Sequence, residues 1–131
     1  MKSKSDKNLG AAQKLIDNSF FTPSVHCSYY AAFQYMKYVL AQLKTRPVKY
    51  DEQEKLVEGG NSHEIIITEI KNRVFVKPKE QKKFAESIRS LKRNRVEADY
   101  KIRDFSGLDS MECLQSAKQI ISELKRCSKD K

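Results

Sequence analysis

The chain has 131 residues, 39% of them hydrophobic, and carries 26 Lys or Arg against 17 Asp or Glu, a formal net charge of +9. That length suits one domain burying roughly two thirds of the surface its unfolded form exposes, so no disulfide or metal staple is needed. The three cysteines, Cys27, Cys113 and Cys127, are too few and too scattered for a disulfide framework, and share no ligand spacing with the two histidines, His26 and His63. No metal and no cofactor is therefore expected, and a reduced, cytoplasmic setting fits best. Met1 to Lys7 is basic and polar, without the apolar centre of a secretory leader, and no run approaches the roughly 18 apolar residues that a membrane span requires.

Leu9, Ala12, Leu15, Ile16 and Ser19 place small and apolar residues on one face of a first helix, Ser5 to Asn18. Phe20 to Pro23 form a connection, with Thr22 as N-cap and Pro23 at the first helical position of a second helix. There Val25, Tyr29, Ala32, Met36, Val39 and Leu43 recur at spacings of four and three, flanked by Tyr30, Phe33 and Leu40. Such a wide apolar surface predicts a central helix, ending near Arg46 and Pro47. Residues 47–61 close on Gly59, Gly60 and Asn61 and read as a loop with one short turn.

Asn61 and Glu64 fit a capping box, opening a third helix near Ser62 that turns Ile66, Ile67, Ile70 and Val74 inward. The β-branched run Ile65 to Ile67 also suits a strand, but the cap and the polar Thr68, Glu69 and Lys71 favour the helix. Pro78 resets the chain, and a fourth helix is expected over Lys79 to Asp104. Asp109 and Glu112 suggest a capping box for the last helix, whose Leu114, Ala117, Ile121 and Leu124 face in. Five helices without a strand predict an all-α fold, an antiparallel up-and-down bundle.

The fourth helix carries the unusual feature. Its apolar stripe runs Phe84, Ile88, Leu91, Arg95, Ala98, Ile102, Phe105, so a guanidinium interrupts the core-facing side. Asp99, one turn on, projects about 40° from Arg95 and shares its side of the helix. Burying a guanidinium costs several kcal/mol unless a partner offsets it, so this is either a structural pair or a site. Tyr100 lies about 140° from Arg95 and is a poor partner within one subunit. Residues 71–103 hold twelve Lys or Arg against four Asp or Glu, a local +8, leaving +1 for the remainder. Anionic partners are drawn to that region. The competing reading of Lys79, Lys82 and Lys83 is a solvated helix face.

Tyr29-Tyr30-Ala31-Ala32 in the second helix, Arg95-Val96-Glu97-Ala98-Asp99-Tyr100 in the fourth and Ala117 central in the last together resemble the HEPN family (higher eukaryotes and prokaryotes nucleotide-binding), in its Arg-x-x-Ala-Asp-Tyr branch. The likeness spans about residues 5–126, one domain with basic, flexible ends. It implies an all-α bundle, frequent homodimers and, in active members, a metal-independent ribonuclease at the dimer cleft, commonly a toxin beside a small nucleotidyltransferase partner. The family's catalytic pattern is an Arg followed at four to six residues by a His. From Arg93-Asn94 that position falls on Ala98 or Asp99, and Tyr100 then matches a tyrosine some toxins carry; from Arg95 the segment matches the Arg-x-x-Ala-Asp-Tyr variant, which is the favoured register. No histidine stands in the fourth helix in either register.

Metal-free RNA cleavage needs a base for the 2′-hydroxyl, a cation for the phosphorane and an acid for the leaving oxygen. Arg95 supplies the cation, and Asp99 and Tyr100 are the remaining catalytic candidates, although a carboxylate held by a guanidinium is a weak base near neutrality. Lys92, Arg93, Asn94, Arg103 and His63 are candidate binding residues. His26 is expected to pack half-buried beside Tyr30, and Tyr29, Tyr30 and Phe33 to be core or dimer surface. Three readings stay open. The first is a homodimeric module binding RNA, a nucleotide or an acidic partner through its basic helix without efficient catalysis. The second is a weak or conditional ribonuclease toxin, and the third a purely structural dimerisation protein.

Overall fold

The computed structural model describes residues 1–131 and is helical throughout: α1 (Lys2–Asp17), α2 (Phe21–Gln42), α3 (Tyr50–Leu56), α4 (Ser62–Val74), α5 (Pro78–Tyr100) and α6 (Gly107–Ser128). The all-α expectation holds, with six helices in place of five. The extra one is α3, in the segment expected to be a loop. Asp51 and Glu52 stand in its first turn, where acidic residues oppose the helix dipole favourably, and the Lys49 N–H donates to Glu52 Oε1 at 3.4 Å. Gln53 then pins α3 to the bundle: its Nε2 donates to the carbonyls of Lys37 (3.0 Å) and Val48 (2.8 Å).

α2 is the central helix and touches every other one. Its predicted stripe is buried from Val25 through Leu43, and Phe33 and Leu40 are buried with it. Ile66, Ile67, Ile70 and Val74 of α4, and Leu114, Ala117, Ile121 and Leu124 of α6, close the same core, which settles the Ile65 to Ile67 run as helix. At about 25 cal/mol per Å² of apolar area, each fully buried Leu or Ile stabilises by about 1.5–3 kcal/mol. α1 is laid against α2 by Ser5, whose buried hydroxyl donates to the Ala31 carbonyl at 2.7 Å, and by Asn8, whose Nδ2 donates to Gln34 Oε1 at 2.8 Å.

Helix ends depart from expectation for local reasons. α1 begins at Lys2, before Ser5. The N-cap of α2 is Phe20, so Thr22 lies inside the helix, and its Oγ1 instead accepts the Phe105 N–H at 2.9 Å. α2 stops at Gln42, short of Arg46, which takes a left-handed φ of 53° before Pro47. Asn61 is also left-handed (φ 55°), where a capping residue is ordinarily extended, and makes no side-chain cap, while Glu64 pairs with Arg89 instead of closing the box. The last box forms three residues earlier than expected: Ser106 Oγ accepts from the Asp109 N–H at 3.0 Å. α5 ends at Tyr100 and not at Asp104, so Ile102 leaves the stripe fully exposed, while Phe105 is folded back into the core by the connection. No helix is long and apolar enough to cross a membrane.

Candidate functional site

Arg95 is where the stripe predicts, on the α2-facing side of α5, with 8% of its surface exposed. The aromatic surface of α2 receives it. Its guanidinium carbon lies 5.4 Å from the centre of the Tyr29 ring and 5.5 Å from that of Tyr30. Such cation–π contacts offset part of the cost of desolvation, on the order of 1–2 kcal/mol. Asp99 completes the expected pair at a long 3.5 Å, from Arg95 Nη1 to Asp99 Oδ2. Arg95 makes no hydrogen bond within the chain, and its Nε is buried without any acceptor. A guanidinium carries five N–H donors, so this one is held in place with its donors largely uncommitted.

The carboxylate that faces Arg95 also faces a histidine. His26, on the second turn of α2, approaches Asp99 Oδ2 with its Nδ1 at 2.8 Å, and its side chain remains 48% exposed. Its ring packs on Tyr30 at 4.7 Å between centroids, as the sequence predicts, but the bond to Asp99 was not anticipated. With Nδ1–H donating to the carboxylate, the other ring nitrogen is the one free to exchange a proton. His26 therefore supplies an oriented imidazole next to Arg95, although none stands on α5. Tyr100 joins the same group. The ideal-helix angle set it apart from Arg95, yet its ring centre lies 5.9 Å from the guanidinium carbon while the ring stays 73% exposed. A long phenol at the last residue of a helix reaches further than its Cβ direction implies.

His63 reaches the back of the site from the first turn of α4. Its Nδ1 is 2.6 Å from the Tyr29 hydroxyl, and its ring lies nearly parallel to Phe33 at 4.4 Å. Burial, with the cations of Arg95, Lys92 and Lys37 around it, lowers its pKa to about 4. It is thus neutral near pH 7, and with its proton on Nε2 its Nδ1 accepts a hydrogen bond from the Tyr29 hydroxyl. The same burial pushes the Tyr29 hydroxyl well above the usual phenol range. Tyr29 is a structural donor linking α2 to α4, and not a proton source.

The remaining candidates divide between two other places, both bordered by α5. Lys92 and Arg93 line an open groove of about 410 Å³ with Arg89 and Lys101, in which Glu64 pairs with Arg89 (3.1 Å) and Lys92 (3.9 Å). Asn94 and Arg103 turn toward α6 and line a cavity of about 200 Å³ beside Cys113, whose thiol burial pushes up to about 11. Arg103 is committed there: Nη1 donates to Glu97 at 2.5 Å, Nη2 is 3.7 Å from Asp109, and the guanidinium covers the Phe105 ring at 4.0 Å. Lys79, Lys82 and Lys83 are solvated, Lys83 lying 3.5 Å from Glu123. The structure thus gathers Arg95, Asp99, Tyr100 and His63, adds His26, and separates Asn94 and Arg103 from them.

The family model of the HEPN domain matches residues 1–127. No curated protein and no solved structure matches the chain.

Proposed function

The chain belongs to the HEPN domain family, and from that premise we propose that it is an RNA-binding module whose central contact is a phosphate held by Arg95. The observation that carries this reading is the uncommitted guanidinium: Arg95 is buried against two tyrosine rings, opposite one carboxylate at 3.5 Å, and its side chain makes no hydrogen bond of its own. A purely structural arginine would be expected to spend its donors on carbonyls. An incoming oxyanion satisfies them and offsets the desolvation already incurred. The groove carrying Arg89, Lys92, Arg93 and Lys101 extends the positive surface along α5, which suits a polymer of phosphates.

Fluorescence anisotropy with a single-stranded RNA oligomer tests it. Affinity falls as salt rises, each phosphate contact adding roughly 0.7 to the log–log slope, and Arg95→Met weakens binding at least about tenfold. Unchanged affinity in Arg95→Met, or no binding at low salt, refutes the reading.

The bond from His26 to Asp99 favours a second reading, RNA cleavage. The free nitrogen of His26 takes the 2′-hydroxyl proton, the 2′-oxygen attacks phosphorus, and the 5′-oxygen departs with a proton from solvent, leaving a 2′,3′-cyclic phosphate. Arg95 neutralises the charge gathering on the phosphoryl oxygens. Incubation of the protein in excess over RNA decides it: cleavage lost in both His26→Ala and Arg95→Met supports it, and intact RNA rejects it.

We also propose a homodimer, formed at the end of the bundle where the connections after α1 and α5 meet. The Phe105 N–H to Thr22 bond ties the connection after α5 to the first turn of α2, and Phe20, Ile102 and Leu108, like Tyr100, stand exposed on the segments next to that junction. These exposed apolar side chains at one end of the bundle are what a second copy would cover.

A further inference from the structure

A second recess lies beneath α3, a cavity of about 230 Å³ between α2, α3 and α4. Phe33, Val57 and Ile66 give it an apolar wall. Its charged groups are of opposite sign and both unpaired: Lys37 and Glu54 line it, and neither takes part in any ion pair of the molecule. The Lys37 ammonium lies 6.0 Å from the centre of the Phe33 ring, over the apolar wall.

Two polar features at this recess lack partners. Gln53, only 1% exposed, lines it, and its Oε1 is buried without a donor although its Nε2 is fully used by the carbonyls of Lys37 and Val48. An amide oxygen left this way is destabilising, and a ligand ammonium would supply the donor it lacks. Ser62, the first residue of α4, lines the opposite part. α4 begins without any side-chain cap, so its leading N–H groups and the Ser62 hydroxyl are available to an anion.

We propose that this recess binds a small zwitterion, a free α-amino acid with an apolar side chain. Its ammonium sits between Gln53 Oε1 and the Glu54 carboxylate. Its carboxylate meets Lys37, the Ser62 hydroxyl and the start of α4, and its side chain lies on Val57, Ile66 and Phe33. The volume suits one amino acid and excludes a nucleotide polymer. Phe33 also stacks on His63 at 4.4 Å, which leads to Tyr29 and the Arg95 site, so occupancy is read at His63.

The test is a titration of the full chain with L-leucine, followed by calorimetry and by the amide signals of Ser62 and His63 in heteronuclear NMR. L-leucine binds and moves both signals. Leucinamide, which lacks the carboxylate, and 4-methylpentanoate, which lacks the amine, each bind at least about tenfold more weakly, as the loss of one charge-assisted contact requires. Lys37→Met, at a half-buried position outside the core, and Glu54→Gln, at an exposed one, weaken L-leucine by a similar factor while their melting curves match the parent protein. Absence of L-leucine binding overturns the proposal. So does 4-methylpentanoate or inorganic phosphate binding as well as L-leucine, which would make the recess a simple anion site, or unchanged affinity in both variants.

Discussion

His26 Nδ1 lies 2.8 Å from Asp99 Oδ2, joining residues 73 positions apart, and the same oxygen lies 3.5 Å from Arg95 Nη1. One carboxylate therefore orients an imidazole and faces a guanidinium. In the cleavage reading its task is to hold the proton on Nδ1 and leave the other nitrogen basic. Asp99→Asn is then expected to lower any RNA cleavage by about 10²–10⁴-fold without weakening RNA binding by more than a few fold. Single-turnover rates beside anisotropy separate the two; an equal loss in both would make Asp99 a binding residue only.

Arg95 and Asp99 also make a stability prediction. A buried ion pair is often no better than well-packed apolar groups, whereas removing one partner strands the other. Arg95→Met keeps the apolar packing on Tyr29 and Tyr30 and leaves Asp99 its bond to His26, so it is expected to change the unfolding free energy by less than about 1 kcal/mol. Asp99→Asn leaves the cation unopposed and should cost about 1–3 kcal/mol. Urea denaturation of both variants and of the double variant yields the coupling, expected at roughly 0.5–3 kcal/mol. Additive effects would show that the 3.5 Å contact contributes nothing.

The sequence makes the core legible and leaves the site only half so. Val25 to Leu43 and Leu114 to Leu124 are buried as their spacing predicts, because helix period and burial follow from local pattern. Arg95 and Asp99 are visible for the same reason, being four residues apart on one helix. His26 is not, since nothing in α2 records that its exposed turn lies opposite the end of α5. The capping box fails at Asn61, whose backbone is left-handed and whose Glu64 finds Arg89 across a helix interface, and the last box shifts to Ser106 because Asp109 serves as the third residue of a helix starting earlier. Ile102 continues the stripe in sequence but not in space: α5 ends at Tyr100, which frees Ile102 for the exposed end of the bundle.

That exposed end predicts an assembly phenotype. Ile102 is fully exposed and Leu108 is 71% exposed, so Ile102→Lys with Leu108→Glu removes no core contact. The doubly substituted chain should melt within about 0.5 kcal/mol of the parent protomer, as surface changes do. Sedimentation should show the proposed dimer shifted to monomer. A dimer that persists unchanged places the interface elsewhere.

His63 sets the pH dependence of folding. Its pKa falls from 6.5 to about 4 in the folded state, through burial first and the cations of Arg95, Lys92 and Lys37 second. Between those two values the unfolded chain binds the proton and the folded chain resists it. Stability is therefore full above about pH 6.5, declines as pH falls toward 4, and levels off below, where both states are protonated. Allowing for partial burial, the loss is on the order of 2 kcal/mol. His63→Gln, with an uncharged amide toward Tyr29, should be less stable at pH 7 yet lose less between pH 6.5 and 4, so the two melting-temperature profiles converge in acid. Parallel profiles would mean that His63 is solvated in the folded state, and that packing against Tyr29 and Phe33 does not hold it neutral.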